Sequence, residues 1–179
     1  MSEQPRIFLI TGIMASGKST IAQALAERLP QSAHIRGDVF RRMIIGGRKE
    51  LTPDYDAEAF VQLRLRYQLA ALTARSYCAA GFSVVCQDII IGDILPEVVD
   101  LYRIGGYPLY LIVLCPSVDA VLIRDAGRQK VAYRDWTPEL LDHELRSNTP
   151  RLGLWLDTST LTVEQTVDTI VARLSEAAV

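Results

Sequence analysis

Short apolar runs alternate with longer stretches of helical period along the whole chain. Runs of strand length lie at 7–11, around 33–36, at 83–87, at 109–115 and near 154–156. Between them, apolar residues recur at helical spacing over 20–29, 39–45, 57–80, 94–104, 118–125, 138–147 and 163–174. Such alternation predicts an α/β fold, a parallel sheet with helices on both faces. Punctuation supports the division: Thr137 and Pro138 read as an N-cap and first helical residue, Gly81 as the residue that ends the long helix, and Pro30 as the stop of the first. On the long helix, Leu63, Leu65, Leu69 and Leu72 are expected to form the buried side. Ligands in such sheets bind beyond the carboxyl ends of the strands, so the polar residues that follow each strand are the ones to question.

Composition narrows the class. With 179 residues and 49% hydrophobic content, the chain is expected to form one compact domain over 1–179. A formal net charge of −2 supplies no global basic field, which disfavours nucleic acid as a partner. Cys78, Cys86 and Cys115 are odd in number and lack zinc-type spacing, so they read as reduced core residues. The apolar run after the first residues is far too short for a secretory segment or a membrane span, and the chain is read as cytoplasmic with no membrane partner. No internal repeat or low-complexity block is present.

The segment Gly12-Ile13-Met14-Ala15-Ser16-Gly17-Lys18-Ser19 fits G-x-x-x-x-G-K-[ST] in full, between a predicted strand and a predicted helix. Glycines let the backbone turn so that successive N–H groups point inward, and the helix that follows adds the positive end of its dipole. Gly12, Ala15, Ser16, Gly17, Lys18, Ser19 and Thr20 are therefore the candidate nucleotide-binding residues. Lys18 would reach the β- and γ-phosphates, and Ser19 would bind Mg²⁺. A dinucleotide fingerprint fits this turn less well, because the position two after Gly12 is Met14.

Asp38 follows the second predicted strand and opens a helix, which makes it the candidate general base or hydroxyl-orienting group as well as a possible N-cap. Arg41 and Arg42 lie one turn on, as an anion clamp or as solvated charges. Asp88 closes the third apolar run, where a carboxylate could orient a metal-bound water, bind substrate or satisfy a loop; Asp93 reads as a helix cap. After the fourth strand, a cationic segment at about 124–136 contains Gly127 and reads as a lid, with Arg124 and Arg128 as the residues that would meet transferring phosphate.

With these residues in place, the chain resembles the small P-loop kinases of the nucleoside-monophosphate, shikimate and gluconate kinase type, and looks most like chloramphenicol phosphotransferase-like proteins. The resemblance runs from Ile7 to the last helix. It implies a P-loop NTPase-type three-layer fold with a five-stranded parallel sheet in order 2-3-1-4-5, and transfer of phosphate from ATP with Mg²⁺ to a hydroxyl of a small molecule. Asp38 resembles the family's catalytic aspartate, Arg124 the arginine near adenine, and Arg128 the lid arginine; residues 156–159 resemble the loop that passes the adenine. The gluconate-type lid signature Gly-His-Phe is replaced by Lys130-Val131-Ala132-Tyr133, so gluconate is not supported. His34 and His143 read as structural or solvated.

The acceptor is expected in a substrate-side segment at about 38–68, between Asp38, the polar stretch 46–56 and the start of the long helix, where Arg64, Arg66, Tyr67 and Gln68 project. An antibiotic, a sugar or a nucleoside-like compound would fit, in a monomer or a homodimer. The alternatives are a P-loop ATPase or GTPase switch that acts on a partner protein, and a polynucleotide 5′-hydroxyl kinase.

Overall fold

The computed structural model of the chain describes residues 4–53, 56–127 and 136–179. Five strands, β1 Ile7–Thr11, β2 Ser32–Arg36, β3 Ser83–Gln87, β4 Leu109–Leu114 and β5 Leu154–Leu156, form one sheet in the order β2-β3-β1-β4-β5. Every pairing is parallel, as the alternation of strands and helices predicts. β1 lies at the centre and is buried along its whole length, which is why its sequence is a continuous apolar run rather than an alternating one.

The helices are α1 Lys18–Glu27, α2 Asp38–Arg42, α3 Ala57–Ala79, α4 Ile94–Arg103, α5 Val118–Ala126, α6 Pro138–His143, α7 Val163–Ala172 and α8 Leu174–Ala177. The two-residue period of the strands sorts their side chains between two cores. Phe8, Ile10, Val85, Ile112 and Leu114 pack with Ile21, Leu25, Val167 and Ile170 of α1 and α7. Ile7, Leu9, Val84, Cys86, Leu111 and Val113 pack with Tyr67, Ala74, Val98 and Val121 of α3, α4 and α5. The result is a three-layer P-loop NTPase-type fold.

Several local expectations change. On α3 the buried residues are Ala59, Tyr67, Ala70, Ala71, Ala74 and Cys78, whereas Leu65 and Leu72 are 43% and 51% exposed. The helix carries two stripes of similar period, and size decides between them. Ala70, Ala71 and Ala74 allow its axis to lie close to the sheet, and the Tyr67 hydroxyl donates to Ile89 O at 2.6 Å, which fixes the rotation. Asp93 occupies the N-cap position of α4 in a helical conformation and its side chain makes no capping bond, so it is not the cap the sequence suggests. α2 ends at Arg42, and the stretch after α6 continues as a π-helical turn, Glu144–Asn148. Thr137 caps α6 as expected, accepting from Leu140 N at 3.2 Å with Pro138 behind it. Gly81 follows α3 as expected.

The three cysteines are free and buried, and no helix among the described residues is long and apolar enough to cross a membrane.

β5 has three residues and reaches its place on β4 through Gly153, whose φ is +67°. A Cβ there would stand 2.4 Å from Leu111 O and 2.8 Å from Leu111 Cβ. Both the left-handed backbone and the close approach require glycine. Gly153→Ala should therefore cost about 2–4 kcal/mol of stability, read as a lower midpoint in urea denaturation followed by circular dichroism.

Candidate active site

The loop between β1 and α1 is shaped by close backbone approach. Gly12 has φ +145°, and a Cβ on it would meet Leu114 O of β4 at 2.4 Å and Ser16 Oγ at 2.8 Å. Ala15 at φ +58° and Gly17 at φ +99° reverse the chain, so that main-chain donors turn into the loop as an anion-binding nest. Gly17 is the N-cap of α1 and brings no capping side chain, leaving the N–H groups of the first turn directed at the same space. Lys18 is only 8% exposed and its Nζ donates to Ile13 O at 2.6 Å and lies 3.5 Å from Ser16 Oγ.

A cleft of about 360 Å³ opens beside the loop, lined by Ala15, Ser16, Gly17, Thr20, Ile21, Arg124, Thr158, Leu161, Thr162, Val163 and Thr166. Arg124 spans it: one amino group donates to Ser16 O at 3.2 Å, the other to Thr158 O at 2.5 Å. The loop after β5 is tied down nearby, since Ser159 Oγ accepts from Ser117 N at 2.8 Å and Ser159 N donates to Asp157 Oδ1 at 2.8 Å. The Ser159 hydroxyl, which also donates to Asp157 Oδ1 at 2.5 Å, and then the Ser159 N–H hold the Asp157 carboxyl below the usual carboxylate range. Gly12, Ala15, Ser16, Gly17, Lys18, Ser19, Thr20 and Arg124 are thus gathered around the loop and its cleft, where the sequence places them.

Across Thr20 lies a second, open cleft of about 370 Å³, lined by Ser19, Thr20, Gln23, His34 and Arg36. Gln23 donates to Glu27 Oε1 at 2.8 Å, so its carbonyl faces His34 Nδ1 at 2.9 Å and that nitrogen carries the proton. Burial, and then the charge of Arg36, lower the pKa of His34 and keep the ring neutral.

Asp38 stands two strands from the loop at the same edge of the sheet, about 10 Å away by strand spacing. It is the first residue of α2 rather than its cap; Gly37 takes the cap position. One oxygen, Oδ2, forms an ion pair with Arg42, while Oδ1 is buried and accepts no hydrogen bond from the described residues. Arg41 pairs with Glu50.

The end of β3 supports this corner. Asp88 N donates to Ile10 O of β1 at 3.1 Å, and its carboxylate is taken from both sides by Arg66, with Nε to Oδ2 at 2.6 Å and Nη2 to Oδ1, while Ile89 N donates to Oδ1 at 2.7 Å. The pair is deeply buried, at 12% and 6% side-chain exposure. Burial pulls the Arg66 pKa below its ordinary value, opposed by the nearby Tyr67 and Asp38. Removing one partner of such a pair costs about 3–5 kcal/mol, because the other charge is left buried alone. Asp88 also sits against the backbone before Asp38, for a Cβ on Gly37 would fall 1.9 Å from Asp88 Oδ2.

Arg64 lies elsewhere. It donates to Glu97 of α4 at 2.8 Å and stacks over Phe60, half exposed on the outer surface of α3. Arg66 is the α3 arginine that reaches the corner of Asp38 and Asp88. Its position four residues before the buried Ala70 is the signal that helical phase offered. Arg128 and most of the expected lid lie outside the described residues. At their far edge, Trp136 Nε1 donates to Leu51 O at 3.0 Å.

For a nucleotide the fit is good: backbone donors, a buried lysine and an adjoining cleft of small-ligand size. For Mg²⁺, Ser19 is the protein ligand at hand, which suits an ion that takes most of its shell from phosphates and water. Asp88 is committed to Arg66 and does not extend that set.

Comparisons with known proteins bear on the fold and the family. No curated protein matches the chain at a significant level. Among solved structures it is similar to a sugar kinase from a Janibacter species, at 18% identity over 97% of this chain and 96% of the other with a TM-score of 0.70. It is similar to the tunicamycin resistance protein of Deinococcus radiodurans, at 19% identity over 97% and 98% with a TM-score of 0.68. It is also similar to the APS kinase of Mycobacterium tuberculosis in complex with AMPPNP and APS, at 14% identity over 96% and 98% with a TM-score of 0.70. These likenesses give the fold alone. A family model described as AAA domain (AAA_33) matches residues 7–150, nearly the whole span from β1 to the residues before β5, and the chain belongs to that family.

Proposed function

We propose that the chain is a one-domain phosphotransferase that moves the γ-phosphate of ATP to a hydroxyl group of a small molecule. The observation that carries this reading is Asp38: a buried carboxylate oxygen without a donor among the described residues, at the sheet edge that also bears the phosphate loop. A carboxylate so placed suits the proton of an acceptor hydroxyl. The sugar kinase and the APS kinase among the similar structures lend support, since both names describe kinases of small molecules and the latter was solved with AMPPNP.

In this reading the loop N–H groups and Lys18 hold the β- and γ-phosphates, and the cleft at Arg124 and Thr158 takes the base and sugar. Arg124, pinned to Ser16 O and Thr158 O, joins the two walls of that cleft. Mg²⁺ held at Ser19 would neutralise developing charge between the β- and γ-phosphates. The acceptor oxygen forms a bond to the γ-phosphorus, its proton passes to the Asp38 carboxylate, and the bond from that phosphorus to the bridging oxygen breaks to leave ADP. Asp88 and Arg66 serve by position: their ion pair packs against Gly37 and fixes where α2 begins.

Incubation with γ-labelled ATP, magnesium and a panel of hydroxyl compounds tests the reaction. Label should appear in an acceptor; label released only as inorganic phosphate, independent of any acceptor and stimulated by a partner protein, would replace this reading with a switch.

Lys18→Ala is expected to weaken MgATP binding in calorimetry and to abolish turnover, because the buried ammonium is the principal charge of the loop. For Asp38→Asn we expect nearly unchanged ATP binding and a loss of about 100-fold or more in transfer rate, read in single-turnover kinetics. Full transfer by that variant would remove Asp38 from the mechanism.

A further inference from the structure

β2 is an edge strand, and its two-residue period sets neighbouring side chains on opposite faces. Ile35 enters the core beside α3, so His34 and Arg36 lie on the other face, toward α1. There they line the open cleft of about 370 Å³ together with Ser19, Thr20 and Gln23 from the first turns of α1. Thr20 separates this cleft from the one at Arg124, and Ser19 joins it to the phosphate loop.

Its walls carry one charge. Arg41, Arg42, Arg64 and Arg66 each pair with a carboxylate, whereas Arg36, exposed at the end of β2, joins no ion pair and no side-chain hydrogen bond among the described residues. His34 is neutral, its Nδ1–H donating to the Gln23 carbonyl at 2.9 Å. No carboxylate is among the described residues that line the cleft. Two acids lie nearby along the chain, and both are engaged: Glu27 accepts the Gln23 amide at 2.8 Å, and Asp38 pairs with Arg42.

A guanidinium presents paired N–H donors whose spacing matches two oxygens of a phosphate, sulfate or carboxylate. The exposed Thr20 hydroxyl on the facing wall adds another donor, and the positive end of the α1 dipole acts in the same direction. With its volume the cleft admits an anionic group carried on a small molecule as well as a bare ion.

We propose that the cleft between α1 and β2 is an oxyanion site beside the phosphate loop, in which Arg36 and Thr20 bind a phosphate, sulfate or carboxylate group. Two sources bring such a group to this place: the terminal phosphate of a bound nucleotide, and the anionic group of a second small ligand. The site goes beyond the phosphotransferase reading, because binding there does not require that phosphate be transferred.

Nuclear magnetic resonance on the full, isotope-labelled chain tests it. The direct reporter is the Arg36 Nε–H signal, identified by its loss in Arg36→Gln; the His34 ring is the reporter that the variant retains. Spectra are compared with saturating MgADP, with saturating MgAMPPNP, and with MgAMPPNP plus inorganic sulfate at constant ionic strength. A change at Arg36 when MgAMPPNP replaces MgADP assigns the anion to the terminal phosphate. A saturable change on adding sulfate to the MgAMPPNP form assigns it to a second ligand. In either case Arg36→Gln should abolish the response of His34 or, for sulfate, shift it to concentrations about tenfold higher or more. An Arg36 signal unmoved by both additions, or a His34 response that is the same in Arg36→Gln as in wild type, overturns the proposal. If no hydroxyl compound accepts phosphate, the phosphotransferase reading fails while these signals still decide the site.

Discussion

The arrangement around the phosphate loop depends on one buried ion pair, between Asp88 at the end of β3 and Arg66 on α3. It joins three parts of the chain that meet at the carboxyl edge of the sheet. The Asp88 N–H is bonded to β1, just before the loop; its carboxylate rests against Gly37, just before Asp38; and its partner guanidinium projects from the long helix. Thr11 reinforces the junction, its hydroxyl accepting from Ile90 N and donating to Ile90 O, both at 2.8 Å. Charged groups this deep are tolerated only when their hydrogen bonds are met, and here Asp88 receives three.

How legible this was in the sequence varied with the range of the interaction. The loop could be read because its geometry imposes residue types at fixed offsets: Gly12 must pass under a β4 carbonyl, and Lys18 must begin a helix. The order of the strands followed from a resemblance carried mainly by that loop, and the sheet has that order. Side-chain partners across distance were less legible. Helical phase separates Arg64 from Arg66, two residues apart on one helix, only once the buried stripe is known; the packing of Tyr67 and the alanines against the sheet sends Arg66 inward and leaves Arg64 to Glu97. The leucines of α3 misled for a related reason. Hydrophobicity favoured them, whereas close packing favoured the smaller stripe.

Acidic residues show the same contrast. Asp93 and Asp38 both precede helical stretches, and each has a capping residue's composition and place. Neither caps: Asp93 is already helical, and Asp38 turns to Arg42 with its second oxygen kept inside. A carboxylate that forgoes the bonds nearest to it is held by tertiary contacts, and its chemistry is decided by them. The likeness to a sugar kinase and to an APS kinase shows a shared fold, and a fold does not fix the chemistry placed on it.

The missing side chain at Gly37 ties the fates of two positions. Any larger residue there needs the volume that Asp88 occupies, yet shrinking Asp88 to make room strands the guanidinium of Arg66 in an apolar interior. The costs of changes at these sites should therefore couple rather than add.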